Sequence, residues 1–103
     1  MGIELIIMAA LAIAQVAAAI YIVFLTFSEI VDWFSNRRSM SSVDRSRLGF
    51  TLQDMMNNGQ YRTVQGVFNQ AVGSVEDART ITSGDVDSTL AGYHQDQRLV
   101  VYP

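Results

Sequence analysis

Glu4, Gln15 and Glu29 are the residues whose spacing carries the most chemistry in this sequence. With Met8, Leu11, Ala18, Ile22, Leu25 and Asp32 they fall on positions that alternate by four and three, the spacing of a heptad seam. On a single helix that stripe would gather every acidic side chain of the first 36 residues and the central amide. Lipid cannot hydrogen-bond an amide, so Gln15 would face protein or water. Ala10, Ala14 and Ala18 form a small-residue track beside the seam, which lets helix backbones approach closely. The sequence therefore marks Glu4, Leu11, Ala14, Gln15, Ala18, Ile22 and Glu29 as a helix–helix interface or pore lining. Repeated around an axis, rings of Glu4, Gln15 and Glu29 would form the elements of a cation pathway. The plainer alternative is that Gln15 is interhelical glue and that Glu4 and Glu29 simply lie near the water at the two ends.

A second set is Arg62, Arg79 and Arg98, all on expected strands. They would either converge on a small anionic ligand such as a nucleotide or phosphate, or pair with Glu76, Asp77 or Asp96. Little else has catalytic potential. His94 is the single histidine, and there is no cysteine. Glu76 and Asp77 are adjacent, and neighbours on a strand point to opposite faces. The glycines are scattered rather than gathered into a phosphate-binding loop. The expectation is no enzyme, no catalytic residues, no metal and no cofactor.

These side chains need elements to position them. Leu5 to Phe27 is a 23-residue run broken only by Gln15 and Thr26. About 20 apolar residues suffice to cross a ~30 Å hydrocarbon core as a helix, so the run predicts one transmembrane helix. A cleaved signal peptide fits less well, because the start carries Glu4 and no Lys or Arg, and the apolar stretch is long for an h-region. Arg37, Arg38, Arg45 and Arg47 follow the run, which by the positive-inside rule puts the N-terminus outside and the C-terminal part in the cytoplasm. Trp33, Arg37 and Arg38 would be interfacial anchors at the bilayer of the cell (inner) membrane.

The remainder of the 103 residues is room for one small module. From Arg37 onward seven Arg balance seven acids, so a nucleic-acid partner is not expected. The expected divisions are a helix and interfacial flank at 1–36, a polar connector with a short helix at 37–59, and a ββαβ module at 60–103. Thr51, with Asp54 three residues on, resembles a helix start, and Asn57-Asn58-Gly59 a helix stop. Strands are expected at 61–69, 75–82 and 98–102, with a helix that holds Asp85 and Asp87 in its first turn and presents Val86, Leu90 and Tyr93 on one face. The predicted fold class is thus a single-span transmembrane α-helix followed by a small α+β module with a three-stranded sheet.

Two functional readings share this layout. In the first, the chain is a homo-oligomer in the lipid bilayer, assembled through the polar seam, with a C-terminal oligomerisation or sensing module. If such a bundle opened it would be an ion channel, an effector comparable by layout alone to bacterial anti-phage membrane proteins. In the second, it is an accessory subunit of a larger membrane complex. A phage holin is a third reading, which the β-rich C-terminal part argues against.

Overall fold

A computed structural model of the chain describes residues 3–15, 17–36 and 46–102. The long apolar run does not form one helix. It divides into helix α1 (Ile3–Ile13), strand β1 (Ala18–Leu25) and the start of helix α2 (Phe27–Ser35). The composition changes along the run in the same order. Leu5, Met8, Ala9, Ala10, Leu11 and Ala12 are mostly strong helix formers, whereas Ile20, Tyr21, Ile22, Val23 and Phe24 are β-branched or aromatic and favour strands. Thr26 then turns the chain. Its backbone is extended and its hydroxyl accepts the Glu29 N–H at 3.2 Å, an N-cap for α2.

Eleven residues of α1 rise only ~16 Å, about half of a hydrocarbon core. Among the described residues no helix is long and apolar enough to cross a membrane. The single-span fold class is corrected accordingly. So are the membrane placement and orientation that depended on it, and the ion-channel and effector readings built on a bundle of spans. Hydropathy counts apolar residues, and it does not distinguish one long helix from a helix followed by a strand.

The rest of the chain supplies β2 (Arg47–Met55), β3 (Tyr61–Asn69), β4 (Ser74–Val86), α3 (Ser88–Tyr93) and β5 (Leu99–Tyr102). The sheet has five strands in the order β1-β4-β3-β2-β5, not three. β1 runs parallel to β4, from Ala18 opposite Arg79 to Leu25 opposite Val86, and the other pairs are antiparallel. The helix expected from Thr51 is also corrected: 47–55 is strand, with Thr51 opposite Gln65 and Asp54 opposite Arg62. A local capping pattern yields to pairing on both sides, by β3 and by β5. Asn57-Asn58-Gly59 forms the β2–β3 turn, with Gly59 at φ 84° and Asn58 Oδ1 accepting the Gln60 N–H at 3.0 Å. The β3–β4 turn uses Gly73 at φ 70°.

Helices cover both faces of the sheet. On one face, Ile6 and Ala10 of α1 pack with Phe50, Leu52, Val64, Phe68 and Leu99. On the other, Ile30 of α2 and Leu90 of α3 pack with Leu25, Ile81 and Val86. Asp87 ties the second layer together. One carboxylate oxygen accepts the Leu90 N–H at 2.9 Å, capping α3, and the other accepts the Phe27 N–H at 3.0 Å, in the first turn of α2. The sheet therefore draws strands from all three expected segments and places the first and last of them against a common core.

On the α1 face, Gly66 faces Phe50 across the β2–β3 pair. A Cβ there would lie 2.8 Å from the Phe50 ring and 2.9 Å from the Asp77 carbonyl oxygen. Gly66→Ala is expected to destabilise by about 1–3 kcal/mol through overpacking. Gly92→Ala, in α3 with nothing within 4 Å of the added carbon, is expected to be neutral or to stabilise by up to about 1 kcal/mol. Urea unfolding of the two variants checks both expectations.

Candidate functional site

The helical seam is dispersed by the fold. Glu4 is exposed and Leu11 half-buried on α1, Ala14 and Gln15 lie in the following turn, Ala18 and Ile22 are on β1, and Glu29 is exposed on α2. Ala14 packs against the α1-face core and Ile22 against the other. No stripe unites the seven. Trp33, expected at a membrane interface, is buried, with its ring edge-on to Phe34 at 5.6 Å and the Arg79 guanidinium 5.5 Å from its centroid. Arg37 and Arg38 lie outside the described residues.

The three strand arginines divide. Arg98 makes a two-pronged pair with Asp54, at 2.6 and 3.0 Å, and Arg62 approaches the same carboxylate at 3.7 Å. Arg79 reaches toward α2 instead: its Nε donates to Gln65 Oε1 at 2.8 Å, and its Nη2 to the Glu29 carbonyl at 3.4 Å. Arg47 pairs with Glu76, whose carboxyl is held below its usual range first by that arginine and then by Asn69. Among the described residues no group of three His or acidic side chains is placed to hold a metal ion.

Two features stand out as candidates. The first is the outer edge of β1. Among the described residues this strand pairs only with β4, so alternate N–H and C=O groups face away from the sheet along eight residues. Its sequence, AAIYIVFL, holds no charge, glycine or proline. Ile20, Tyr21, Val23 and Phe24 remain exposed, Val23 at 71%. By register, Tyr21 stands with Thr82 toward α1's face, while Ile20 and Ile22 stand with Ile81 and Ser83 toward α2's. The opposite edge strand, β5, has only four residues.

The second is the polar floor beneath α2 and α3. Thr51, Thr63 and Gln65 are fully buried there, on neighbouring strands. Gln53 donates to the Thr63 hydroxyl at 3.1 Å, and Gln65 to the Ile30 carbonyl at 2.8 Å, fastening α2 to the sheet. Thr51 Oγ1 lies 2.8 Å from His94 Nε2 and 2.7 Å from the Tyr102 hydroxyl. His94 Nδ1 is 3.2 Å from the Gln97 carbonyl, which can only accept, so Nδ1 carries the hydrogen. Burial lowers the His94 pKa and keeps the ring neutral, which leaves Nε2 an acceptor. The hydrogens then run one way: Tyr102 donates to Thr51, Thr51 to His94, and His94 to Gln97. Burial also raises the Tyr102 pKa, so the phenol stays protonated.

This chain of hydroxyls ends at a cavity of about 270 Å³ lined by Phe27, Ile30, Val31, Phe34, Ser35, Tyr93 and Tyr102. Phe27 stacks on Tyr93 at 5.0 Å, and Tyr102 meets Tyr93 at 5.6 Å and Phe34 at 5.7 Å. Sequence reasoning missed this assembly. Thr51, Gln53, Thr63 and Gln65 do show a period of two, which was the available signal for the floor. Phe27 and Tyr102 are 75 positions apart, and nothing local links them.

The neutral His94 sets a pH dependence. Its pKa is lower in the fold than in the unfolded chain, so the unfolded chain takes up the proton first. This contribution to stability is complete above the ordinary imidazole value, about 6.5, and is lost as pH falls through the lowered folded value. Unfolding free energy, measured by urea titration between pH 8 and pH 5, is expected to fall more in the native protein than in His94→Gln. Superimposable profiles would contradict the assignment. No family model, curated protein or solved structure matches this chain.

Proposed function

We propose that this protein is a self-assembling interaction module in which β1 strands of two copies pair antiparallel across a two-fold axis, joining two five-stranded sheets edge to edge. The observation behind this reading is the uncharged, eight-residue outer strand with four large side chains exposed. Long apolar edges are ordinarily blunted by charge, proline, a bulge or shortness, and β1 has none of these within its span.

A second copy fits this edge by its own sequence. With the axis at Ile22, residue 21 faces 23 and residue 20 faces 24. Tyr21 would then lie against Val23 on one face and Ile20 against Phe24 on the other. Aromatic and β-branched residues are favourable cross-strand partners, at about 0.2–1 kcal/mol per pair. The contact is isologous, so it closes at a dimer and leaves no free β1 edge. It carries no charge on either side, so no partner of opposite charge is needed.

Sedimentation equilibrium of the native protein is expected to give twice the 11.4 kDa chain mass, with monomer appearing on dilution. Val23→Lys introduces like charges near the axis and is expected to weaken association at least tenfold, about 1.4 kcal/mol. Val72→Lys, equally exposed in the β3–β4 turn, is the control and is expected to leave association unchanged. A native protein that stays monomeric at millimolar concentration, or equal behaviour of the two variants, would reject the reading.

A further inference from the structure

We propose that the aromatic cavity between α2, α3 and β5 binds a small, uncharged aromatic molecule that carries one hydrogen-bond donor, such as a phenol or an indole. This site is separate from the β1 edge and does not depend on assembly. Its volume, about 270 Å³, is just below the usual range for small-molecule pockets, about 300–1,000 Å³, which restricts the occupant to one or two rings.

The lining sets the class. None of its seven residues carries a charge, so an ion would be desolvated there without a charged partner. Four of the seven are aromatic, at centroid separations of 5.0 to 6.1 Å, the range of stacked and edge-on ring pairs. A planar guest extends that cluster. Phe27 and Tyr93 already stack on each other, which takes up one face of each ring and argues against a cage closing around a spherical cation.

The polarity of the guest follows from the hydroxyl chain. Tyr102 spends its hydrogen on Thr51, because Thr51 spends its own on His94 and His94 Nδ1–H is directed to the Gln97 carbonyl. The phenol oxygen has lone pairs left and no hydrogen to offer. A guest with an N–H or O–H is therefore matched, and a guest with only a carbonyl is not.

The test uses the intact protein and two probes of nearly equal shape, indole and its carbon analogue indene, with binding followed by chemical-shift perturbation of amide resonances. Indole is expected to bind saturably and to shift residues 27–35, 93 and 102. It should bind about three- to tenfold tighter than indene, the worth of one net hydrogen bond. Tyr102→Phe keeps the ring and is expected to bring the two probes to the same affinity. Tyr93→Ala removes an exposed wall and is expected to weaken both, with the fold checked by the native amide spectrum. No saturable binding of indole, shifts confined to other residues, an indole preference that survives Tyr102→Phe, or tighter binding of tetramethylammonium than of indole would each overturn the proposal.

Discussion

The parallel pairing of β1 with β4 is the contact on which the rest of this fold depends. It takes Ala18–Leu25 out of the apolar run and makes it the fifth strand of a sheet whose other strands all lie from Arg47 onward. Because the pairing is parallel, the connection from β1 must return to the same end of the sheet before β4 begins. Helix α2 starts that return, and α1, just ahead of β1, is left to pack on the opposite face. Leu25 and Val86, paired at the end of the ladder, are both buried in the α2–α3 layer. There the Asp87 N–H donates to the Leu25 carbonyl at 2.9 Å, while the Asp87 carboxylate holds α2 and α3.

The two faces of the sheet are built on different principles. Under α1 the core is almost wholly apolar, and Gly66 lets Phe50 lie directly on β3. Under α2 and α3 a row of threonines and glutamines on β2 and β3 lies beside the apolar cluster of Leu25, Ile81 and Val86. Such a floor is tolerable only when its groups find partners, and here the partners are specific: Gln65 with Ile30 and Arg79, Gln53 with Thr63, Thr51 with His94 and Tyr102. Two of these bonds hold covering elements, Gln65 to Ile30 for α2 and Thr51 to His94 at the end of α3, and the others tie neighbouring strands together. The aromatic cavity is what remains where α2, α3 and β5 meet over that floor.

Some of this was readable from the residues and some was not. In the C-terminal part the strands expected at 61–69 and 98–102 match β3 and β5 closely, whereas the helix expected to hold Asp85 and Asp87 in its first turn starts only at Ser88, because β4 runs on to Val86 and Asp87 is the N-cap. The start of the chain was misread because apolar length alone cannot separate a span from a helix plus a strand, although the shift from alanine and leucine to isoleucine, valine and aromatic residues marks the break. β2 was misread because Thr51 and Asp54 mimic a cap. Their real partners, Gln65, His94, Tyr102, Arg62 and Arg98, are between 8 and 51 residues away and leave no local trace. The same holds for the arginines. Asp54 gathers Arg62 and Arg98 because it lies on β2 opposite Arg62, a position that a helix starting at Thr51 would not give it.

The most direct measurement of the central contact is the pattern of short proton–proton distances by nuclear Overhauser spectroscopy in the first 30 residues. If β1 lies parallel to β4, cross-strand contacts are expected between the backbones of Ala19–Ile22 and Thr80–Ser83, and the sequential amide–amide contacts typical of helix should stop after α1 and resume in α2. Unbroken helical amide–amide contacts from Leu5 through Phe27, with no cross-strand contact to β4, would contradict the five-stranded sheet and everything derived from it.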